Sequence, residues 1–397
     1  MDTNKNNGKI FGVTRNVFFL GLVSFFNDFS AEMAQSVMPA FLTMVLGAPA
    51  SFVSILEGVA DALSSVLKVF SGWVSDRLRW RKMPALFGYM LAVFVRPFLA
   101  LTTSFSQVFG LRVLDRIGKG VRDAPRDALI VESTPREELG RAFGVHRSLD
   151  TLGATLGPLF AFFALPFIHG SYRGIFLIAF VVGLGALFSF AFVREPKRVH
   201  LSLDDAPRVA FDWKLFAAHR RFILVVCAIF IFGLGTLPLS LVLLRVKDVG
   251  FSLTDMPLMY FVYSLTFVLT AIPLGRFGDR VGRRFVIAGG FLAAAVAYFG
   301  LASASGLFAI TLFFVVLGLY SAATDGLQRA LAAQFLASGI MATGQGFLNM
   351  AVGFSSFGAS IIGGLLWDAY GDSAAFFYAG IVSIIGAILF FAITSRK

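Results

Sequence analysis

Long hydrophobic runs separated by short polar segments recur along all 397 residues of the chain. Each run holds at least about 18 residues, enough for a helix to cross the hydrocarbon layer of a membrane. The pattern therefore predicts an all-α membrane protein and not a soluble domain. The twelve predicted transmembrane helices cover residues 16–46, 51–75, 83–104, 106–131, 140–168, 172–193, 219–246, 255–275, 285–303, 306–330, 341–368 and 373–394.

The longest polar connection lies near the middle of the chain, between the sixth and the seventh predicted span. It contains Pro196, Pro207 and several charged residues, so it divides the chain into two halves of six spans. We predict an N-terminal six-helix bundle over 1–193, a cytoplasmic linker over 194–218 and a C-terminal six-helix bundle over 219–397.

The two halves carry related sequences, which indicates an internal duplication. The segment GWVSDRLRWRK in the first half is echoed by GRFGDRVGRR in the second. Internal repeats are typical of secondary transporters, whose substrate sites lie where the repeats meet. The residues that correspond at one constant offset are Gly72, Asp76, Arg77 and Arg81 in the first copy and Gly275, Asp279, Arg280 and Arg284 in the second.

Composition and charge agree with a membrane location. Mean hydropathy is +0.80, and charged residues make up 14% of the chain, against about a quarter in soluble domains. The net charge of +11 does not indicate nucleic-acid binding, because Lys and Arg cluster in the loops after even-numbered spans. By the positive-inside rule both termini are expected in the cytoplasm, as in a bacterial inner-membrane protein.

No enzymatic chemistry is evident in the sequence. A single cysteine, Cys227, leaves no cysteine pair for a disulfide or a metal site. No glycine-rich phosphate loop is present, so direct ATP hydrolysis is not expected. We therefore expect no catalytic residues, no cofactor and no metal, and the partners are a small-molecule substrate, protons and the lipid bilayer, for a protein that acts as a monomer.

The duplicated G-x-x-x-D-R segment with its basic cluster resembles the signature loop of the major facilitator superfamily, and the resemblance extends over the whole chain. It implies twelve helices in two pseudo-symmetric six-helix bundles that carry substrates by alternating access. An aspartate beside a helix start, with arginines reaching a facing helix, would form a conformational latch on the cytoplasmic side. The first copy departs from the family pattern at Arg79 and Trp80.

Two further segments resemble motifs of the same family. In the fifth span Gly144, Gly153 and the pair Gly157-Pro158 resemble a motif found mainly in antiporters, although Ala161 and Phe162 replace its final glycines. Small residues at this spacing also permit close helix packing, which is the alternative interpretation. In the fourth span RVLDRIG resembles a motif in which an intramembrane arginine, here Arg112, is linked to proton coupling.

The fourth span carries the densest charge in the chain. Between Leu111 and Glu132, most charged side chains fall on one face of a helix drawn at about 100° per residue. Within this face the residues of one narrow sector are Arg112, Arg116, Lys119, Asp123 and Arg126, with Arg122 at its edge.

Carboxylates in the middle of other spans are the candidate proton carriers. Asp28 and Glu32 share one face of the first span, and Asp61 reaches a similar depth in the second. A charged side chain costs at least about 2.5 kcal/mol at the bilayer centre, and burial favours its neutral form. We predict that Asp28, Glu32 and Asp61 carry protons and that Arg112 takes part in the coupling.

The second half is poorer in charge and richer in tyrosine within its spans, so we expect it to supply an aromatic substrate wall. The predicted substrate-binding residues come from both halves and are Asn27, Glu57, Arg96, Arg116, Lys119, Asp150, Tyr263, Asp325 and Asn349.

These features favour a secondary transporter that exports a small organic compound in exchange for protons. The alternative is uptake or exchange of an organic anion whose phosphate or carboxylate is gripped by basic residues of the fourth span. A regulatory or receptor protein is a third interpretation, which vesicle flux would separate from a carrier.

Overall fold

The computed structural model describes residues 10–78, 81–135, 138–195, 220–248, 255–336 and 341–395, without the side chains of 68–78, 248 and 341–343. These ranges are almost entirely helical. The helices are α1 Arg15–Ala40, continued by a π-helical turn Phe41–Val45, α2 Ala50–Leu78, α3 Lys82–Leu101, α4 Phe105–Glu132, α5 Leu139–Phe167, α6 Tyr172–Ala191, α7 Arg220–Gly233, α8 Leu239–Asp248, α9 Asp255–Val281, α10 Arg283–Ser303, α11 Leu307–Ala333, α12 Met341–Tyr370 and α13 Asp372–Ser395.

The predicted all-α membrane fold is confirmed. Within the described ranges, ten helices are long and apolar enough to span a membrane. Helix α4 is 28 residues long but is not one of the ten, because its charged face lowers its mean hydropathy. Large side chains such as Phe167 (84% exposed) and Phe308 (83% exposed) point outward. Exposed aromatic rings in such number suit contact with lipid.

The prediction of one continuous span over 219–246 is wrong. Helix α7 ends at Gly233 and α8 begins at Leu239. Pro238 has no backbone N–H and fits best just before or in the first helical turn; its carbonyl accepts the N–H groups of Leu241 and Val242. Gly233 at the end of α7 and Gly235 within the break weaken helix continuity further.

The described residues form two compact units, which largely follow the two halves of the sequence. The first includes residues of Met1–Gly47, Leu63–Arg198 and Leu253–Phe261, and the second those of Ala48–Ala62, Val199–Ser252 and Val262–Lys397. The start of α2 thus groups with the second unit and the start of α9 with the first. Of the predicted linker, residues 196–218 lie outside the described part of the chain, and its boundaries stay predictions.

The same helix-pairing scheme recurs in both units. In the first, α1 packs against α5 and α6, while α3 packs against α4 and α6. In the second, α7 packs against α12 and α13, while α10 packs against α11 and α13. Because the corresponding helices occupy the same order in each half, the repeated pairing is the structural counterpart of the duplication predicted from sequence.

Two glycines of the antiporter-like motif bring α5 into backbone contact with α1. A Cβ atom at Gly153 would lie 2.3 Å from the carbonyl oxygen of Phe25, and one at Gly157 would lie 2.5 Å from that of Phe29. Apart from neighbouring atoms of α5 itself, no atom of the described residues lies within 4 Å of the corresponding position at Gly144. Gly153 and Gly157 therefore form a packing seam, whereas Gly144 takes no part in it.

Replacing the seam glycines should destabilise the first unit. Overpacking a tight contact costs about 1–3 kcal/mol, so we expect Gly153→Ala and Gly157→Ala to lower the thermal unfolding temperature of the purified protein. Gly144→Ala on the same helix is the matched control, and its higher helix propensity should leave stability unchanged or raise it. Equal melting temperatures for all three variants would contradict the seam.

Candidate functional site

The polar centre of the first unit is Asn27 on α1, which is completely buried. Its amide nitrogen donates to Asp28 Oδ1 at 2.8 Å. Its amide oxygen accepts from Arg122 Nη1 of α4 at 3.2 Å and from Arg96 Nη2 of α3 at 3.4 Å. Arg96 Nη2 also donates to the Asn27 carbonyl oxygen at 3.3 Å. One amide side chain therefore ties three helices together inside the membrane.

Arg122 is the cation with the most contacts in this network. Its Nη2 lies 3.9 Å from Asp28 Oδ1, and its Nε lies 3.7 Å from Asp123 Oδ1. Its guanidinium carbon lies 4.7 Å from the centre of the Tyr89 ring, within cation–π range. Sequence reasoning placed Arg122 at the edge of the charged face and gave it a role only in the alternative, anion-binding function. The sequence could not show that Asn27 of α1 lies opposite that edge of α4, which is what brings Arg122 into the site.

Other basic residues of α4 are neutralised on their own helix. Arg112 Nη1 donates to Asp115 Oδ2 at 3.2 Å, and the two side chains are only 9% and 19% exposed. Arg126 lies 3.7 Å from Asp123 and 2.8 Å from Asp127. Arg112, predicted to assist proton coupling, is thus one half of an intrahelical ion pair. Arg116 and Lys119, predicted to bind substrate, are half-buried on the same helix.

Helix α5 adds a second group of polar side chains. Asp150 is buried, and its Oδ2 accepts from Arg147 Nη1 at 3.2 Å. His146 Nε2 lies 2.9 Å from Ser24 Oγ of α1, and Ser24 Oγ lies 3.3 Å from the Tyr89 hydroxyl of α3. A continuous chain of polar contacts therefore runs from α5 across α1 to α3.

Glu32 has a separate partner. The hydroxyl group of Tyr260 donates to Glu32 Oε2 at 2.5 Å. Tyr260 belongs to the start of α9, which groups with the first unit. Tyr260 is therefore a direct contact of a predicted proton carrier, although sequence reasoning assigned it only to an aromatic wall.

The remaining predicted site residues lie in the second unit. Glu57 is buried and Asp61 is exposed on the part of α2 that groups with this unit. Tyr263 exchanges a 2.9 Å hydrogen bond with Ser321. Asp325 accepts from Arg329 at 2.9 Å on an exposed face of α11, and Asn349 is exposed on α12.

The first copy of the signature motif begins in the last turns of α2 and not in a loop. Gly72, Asp76 and Arg77 lie there, with side chains outside the described part of the chain. Arg81 is described, and its Nε donates to Glu132 at 3.1 Å. Glu195 accepts the backbone N–H groups of Arg81 and Lys82 at the start of α3.

The second copy shows a partner that sequence reasoning missed. Gly275, Asp279 and Arg280 lie at the end of α9, and Asp279 pairs with Arg283 at 2.8 Å. Arg283 also donates to the Ala330 carbonyl at 3.0 Å, and Arg284 donates to that of Thr394 at 3.2 Å. Trp80 stands at the position of Arg283 in the first copy, so this pair has no counterpart there. The latch role of both copies stays a prediction.

The buried pair of Arg112 and Asp115 should show strong coupling. Removing one partner of a buried ion pair costs about 3–5 kcal/mol, so Arg112→Gln and Asp115→Asn should each lower the melting temperature. The double variant should recover much of the loss, because no unpaired charge remains. The exposed pair of Asp325 and Arg329 is the control. The same three variants of this pair should give a coupling free energy of less than about 1 kcal/mol. If the double variant lost as much stability as Arg112→Gln and Asp115→Asn together, the result would contradict the pairing.

Comparisons with known proteins concern the family and the fold of the chain. A family model described as Major Facilitator Superfamily matches residues 20–267 and 239–397. An uncharacterized MFS-type transporter of Methanocaldococcus jannaschii is 30% identical over 391 residues, covering 97% of this chain and 96% of that protein. The multidrug resistance protein MdtH of Photorhabdus laumondii is 27% identical over 175 residues, or 43% of each chain.

A solved structure matches the whole fold. The nucleoside transporter NupG superposes with a TM-score of 0.81 at 13% sequence identity, covering 95% of this chain and 99% of that one. At this identity the likeness concerns the fold alone. Together with the family match, it shows that the chain belongs to the Major Facilitator Superfamily and is a multi-pass membrane transporter, not an enzyme.

Proposed function

We propose that this transporter exports a small organic compound by exchanging it for protons. The observation that carries the proposal is the set of carboxylates on α1 and α5, which lie among arginines inside the first unit. Ionisable residues within a membrane span are costly, and they commonly mark ion or proton pathways. A carboxylate that gains or loses a proton changes the net charge of this network by one, which is the elementary event that proton coupling requires.

The pairing of the basic residues supports export over anion uptake. Arg112 and Arg126 have carboxylate partners on α4 itself, and Arg122 is shared between Asn27, Asp28 and Asp123. An anion gripped by these arginines would have to displace a bond that already neutralises each one. A neutral or cationic compound meets no such competition. The partial likeness to the multidrug resistance protein MdtH points the same way.

One observation favours the second candidate, which is transport of an organic anion. Arg96 is 3% exposed, and within the described part of the chain its Nη1 atom has no hydrogen-bond partner. A buried guanidinium N–H without an acceptor is costly, and the phosphate or carboxylate of a substrate would satisfy it. Arg116 and Lys119 lie on α4 and would add positive charge to such a site.

The cellular setting and the coupling mechanism complete the proposal. The basic loops support a location of both termini in the cytoplasm of a bacterial cell, with the protein in its inner membrane. The protein would act as a monomer. Alternating access would expose its substrate site to each side of the membrane in turn. Asp76 and Asp279 would stabilise the state that is closed on the cytoplasmic side.

Flux into vesicles under an imposed pH gradient tests the function. Purified protein is reconstituted in liposomes with an acidic interior, and uptake of cationic, neutral and anionic test compounds is measured. We expect pH-driven accumulation of a cationic or neutral compound, abolished by a protonophore. Asp28→Asn or Glu32→Gln should remove the pH-driven component while exchange of the same compound between the two sides persists.

Asp368→Asn is the control for this assay, because Asp368 is an exposed carboxylate on α12 that lies outside the polar network. It should keep the pH-driven flux. Full accumulation by both Asp28→Asn and Glu32→Gln would eliminate the carboxylates of α1 as carriers. Selective accumulation of anions, lost in Arg96→Gln, would establish the second candidate instead.

A further inference from the structure

Three buried side chains from three helices of the first unit form a hydrogen-bonded chain. Ser24 on α1, Tyr89 on α3 and His146 on α5 are each at most 4% exposed. Ser24 Oγ lies 2.9 Å from His146 Nε2 and 3.3 Å from the Tyr89 hydroxyl oxygen. None of the three belongs to the predicted site. Because buried polar groups are almost always hydrogen-bonded, each donor in this chain must be matched to an acceptor.

The Tyr89 hydroxyl group fixes the direction of the chain. Within the described part of the protein its one hydrogen-bond partner is Ser24 Oγ, so Tyr89 donates to Ser24. The Ser24 hydroxyl group then donates to His146 Nε2, which carries no proton. In the reverse direction the Tyr89 O–H group would be buried without an acceptor, which is costly. His146 Nδ1 is not among the fully enclosed atoms of the described residues that lack a partner, so a proton there adds no such penalty.

His146 is therefore a neutral acceptor in this chain. A charged imidazole ring in a buried position needs a carboxylate partner. The carboxylate one helical turn further on, Asp150, already accepts from Arg147. A proton on Nε2 would also turn this atom into a donor and reverse the chain. The neutral ring with its proton on Nδ1 satisfies all three side chains.

The other end of the chain is the contact between the Tyr89 ring and Arg122. The guanidinium carbon of Arg122 lies 4.7 Å from the ring centre, and the Arg122 side chain is only 6% exposed. Cation–π attraction is strongest where water is excluded. Close packing of α3 on α4 creates the contact. A Cβ atom at Gly88 would lie 2.5 Å from the Gly118 carbonyl oxygen and 2.7 Å from the Cβ atom of Arg122.

Hydrogen bonds alone hold Arg122 only lightly. Among the described residues it makes one direct hydrogen bond, from Nη1 to Asn27 Oδ1 at 3.2 Å. Its Nε atom is fully enclosed and has no acceptor there. Its Nη2 atom lies 3.9 Å from Asp28 Oδ1, beyond direct hydrogen bonding. The position of Arg122 beside Asp28 therefore depends on where the Tyr89 ring is held.

We propose that Tyr89 is a positioning residue for Arg122. Ser24 and the neutral His146 hold the Tyr89 hydroxyl group, which fixes the ring that keeps Arg122 beside Asp28. This inference rests on the proposed function, in which Asp28 carries a proton, because a displaced Arg122 changes the charge that this carboxylate faces.

Nitrogen NMR of the purified protein in nanodiscs tests the chain without any substrate. With ¹⁵N-labelled histidine, we expect His146 to be a neutral ring protonated at Nδ1, with signals that are assigned by their loss in His146→Gln. Tyr89→Phe removes the hydrogen that sets the direction, so a fraction protonated at Nε2 should appear. Tyr172→Phe is the matched control and should change nothing, because the Tyr172 hydroxyl group contacts Met44. A native His146 protonated at Nε2 would overturn the proposal.

Labelled arginine reports the contact between the ring and the guanidinium group. The Nε–H signal of Arg122, assigned by its loss in Arg122→Lys, should be displaced by the Tyr89 ring in the native protein. It should return to the range of the other arginines in Tyr89→Leu and move in Ser24→Ala. Ser24→Ala stands alone if Tyr89→Leu does not purify as monodisperse protein. A signal that stays at its native position in these variants would overturn the positioning of Arg122.

Flux measurements separate this role from the proposed function. In Tyr89→Leu the pH-driven accumulation should fall about tenfold, as loss of a desolvated cation–π contact allows, while exchange of the same compound persists. Tyr89→Phe, which keeps the ring, should lose less. Full accumulation by Tyr89→Leu, or an equal loss of exchange, would overturn the role of Tyr89 in coupling. If the NMR signals behave as expected but the native protein shows no pH-driven flux, the positioning of Arg122 stands and the proposed function fails.

Discussion

A charge that this chain places inside the membrane needs a partner from the chain, from water in a cavity or from a bound substrate, because lipid offers neither water nor counter-ions. The first unit meets this constraint around the fully buried Asn27. Its amide group accepts from arginines on two different helices and donates to the adjacent carboxylate. The positions of α1, α3 and α4 are therefore linked by the need to satisfy one small group of buried polar atoms.

Close packing and charge pairing depend on each other in this unit. The seam of Gly153 and Gly157 lets α5 approach α1 closely enough for His146 to reach Ser24. A wider helix separation would leave buried polar groups without partners, at a cost of about 1–3 kcal/mol each. Two glycines of the segment that resembles an antiporter motif thus have a direct physical role, which is to set the distance between polar groups of α1 and α5.

The fold could be predicted from the sequence because span length and loop charge depend on local composition. The ends of most helices lie within a few residues of the predicted ones, and the charged face of α4 follows from helical periodicity. The break between Gly233 and Leu239 was not predicted, since hydropathy does not register a helix interruption in an apolar run. The extension of α9 to Val281 was missed because its polar last turns resemble a loop.

The site could be predicted only in part, because its contacts depend on the register between helices. The charged residues themselves were found, but helical periodicity could not show that Arg122 reaches Asn27 or that His146 reaches Ser24. Arg283 was overlooked in the second motif copy, where it pairs with Asp279. Partners on the same helix, such as Arg112 and Asp115, are the ones that spacing alone can suggest.

The central claim is that the buried arginines of the first unit are present to balance its own carboxylates. The most direct test is the thermal unfolding of Arg122→Gln, Asp28→Asn and the double variant, measured on purified protein in the same detergent. Arg122→Gln should be strongly destabilised, because Asp28 loses its nearest cation and Asn27 loses a donor. Adding Asp28→Asn should restore most of the lost stability. A double variant whose loss equals the sum of the two single losses would contradict this account.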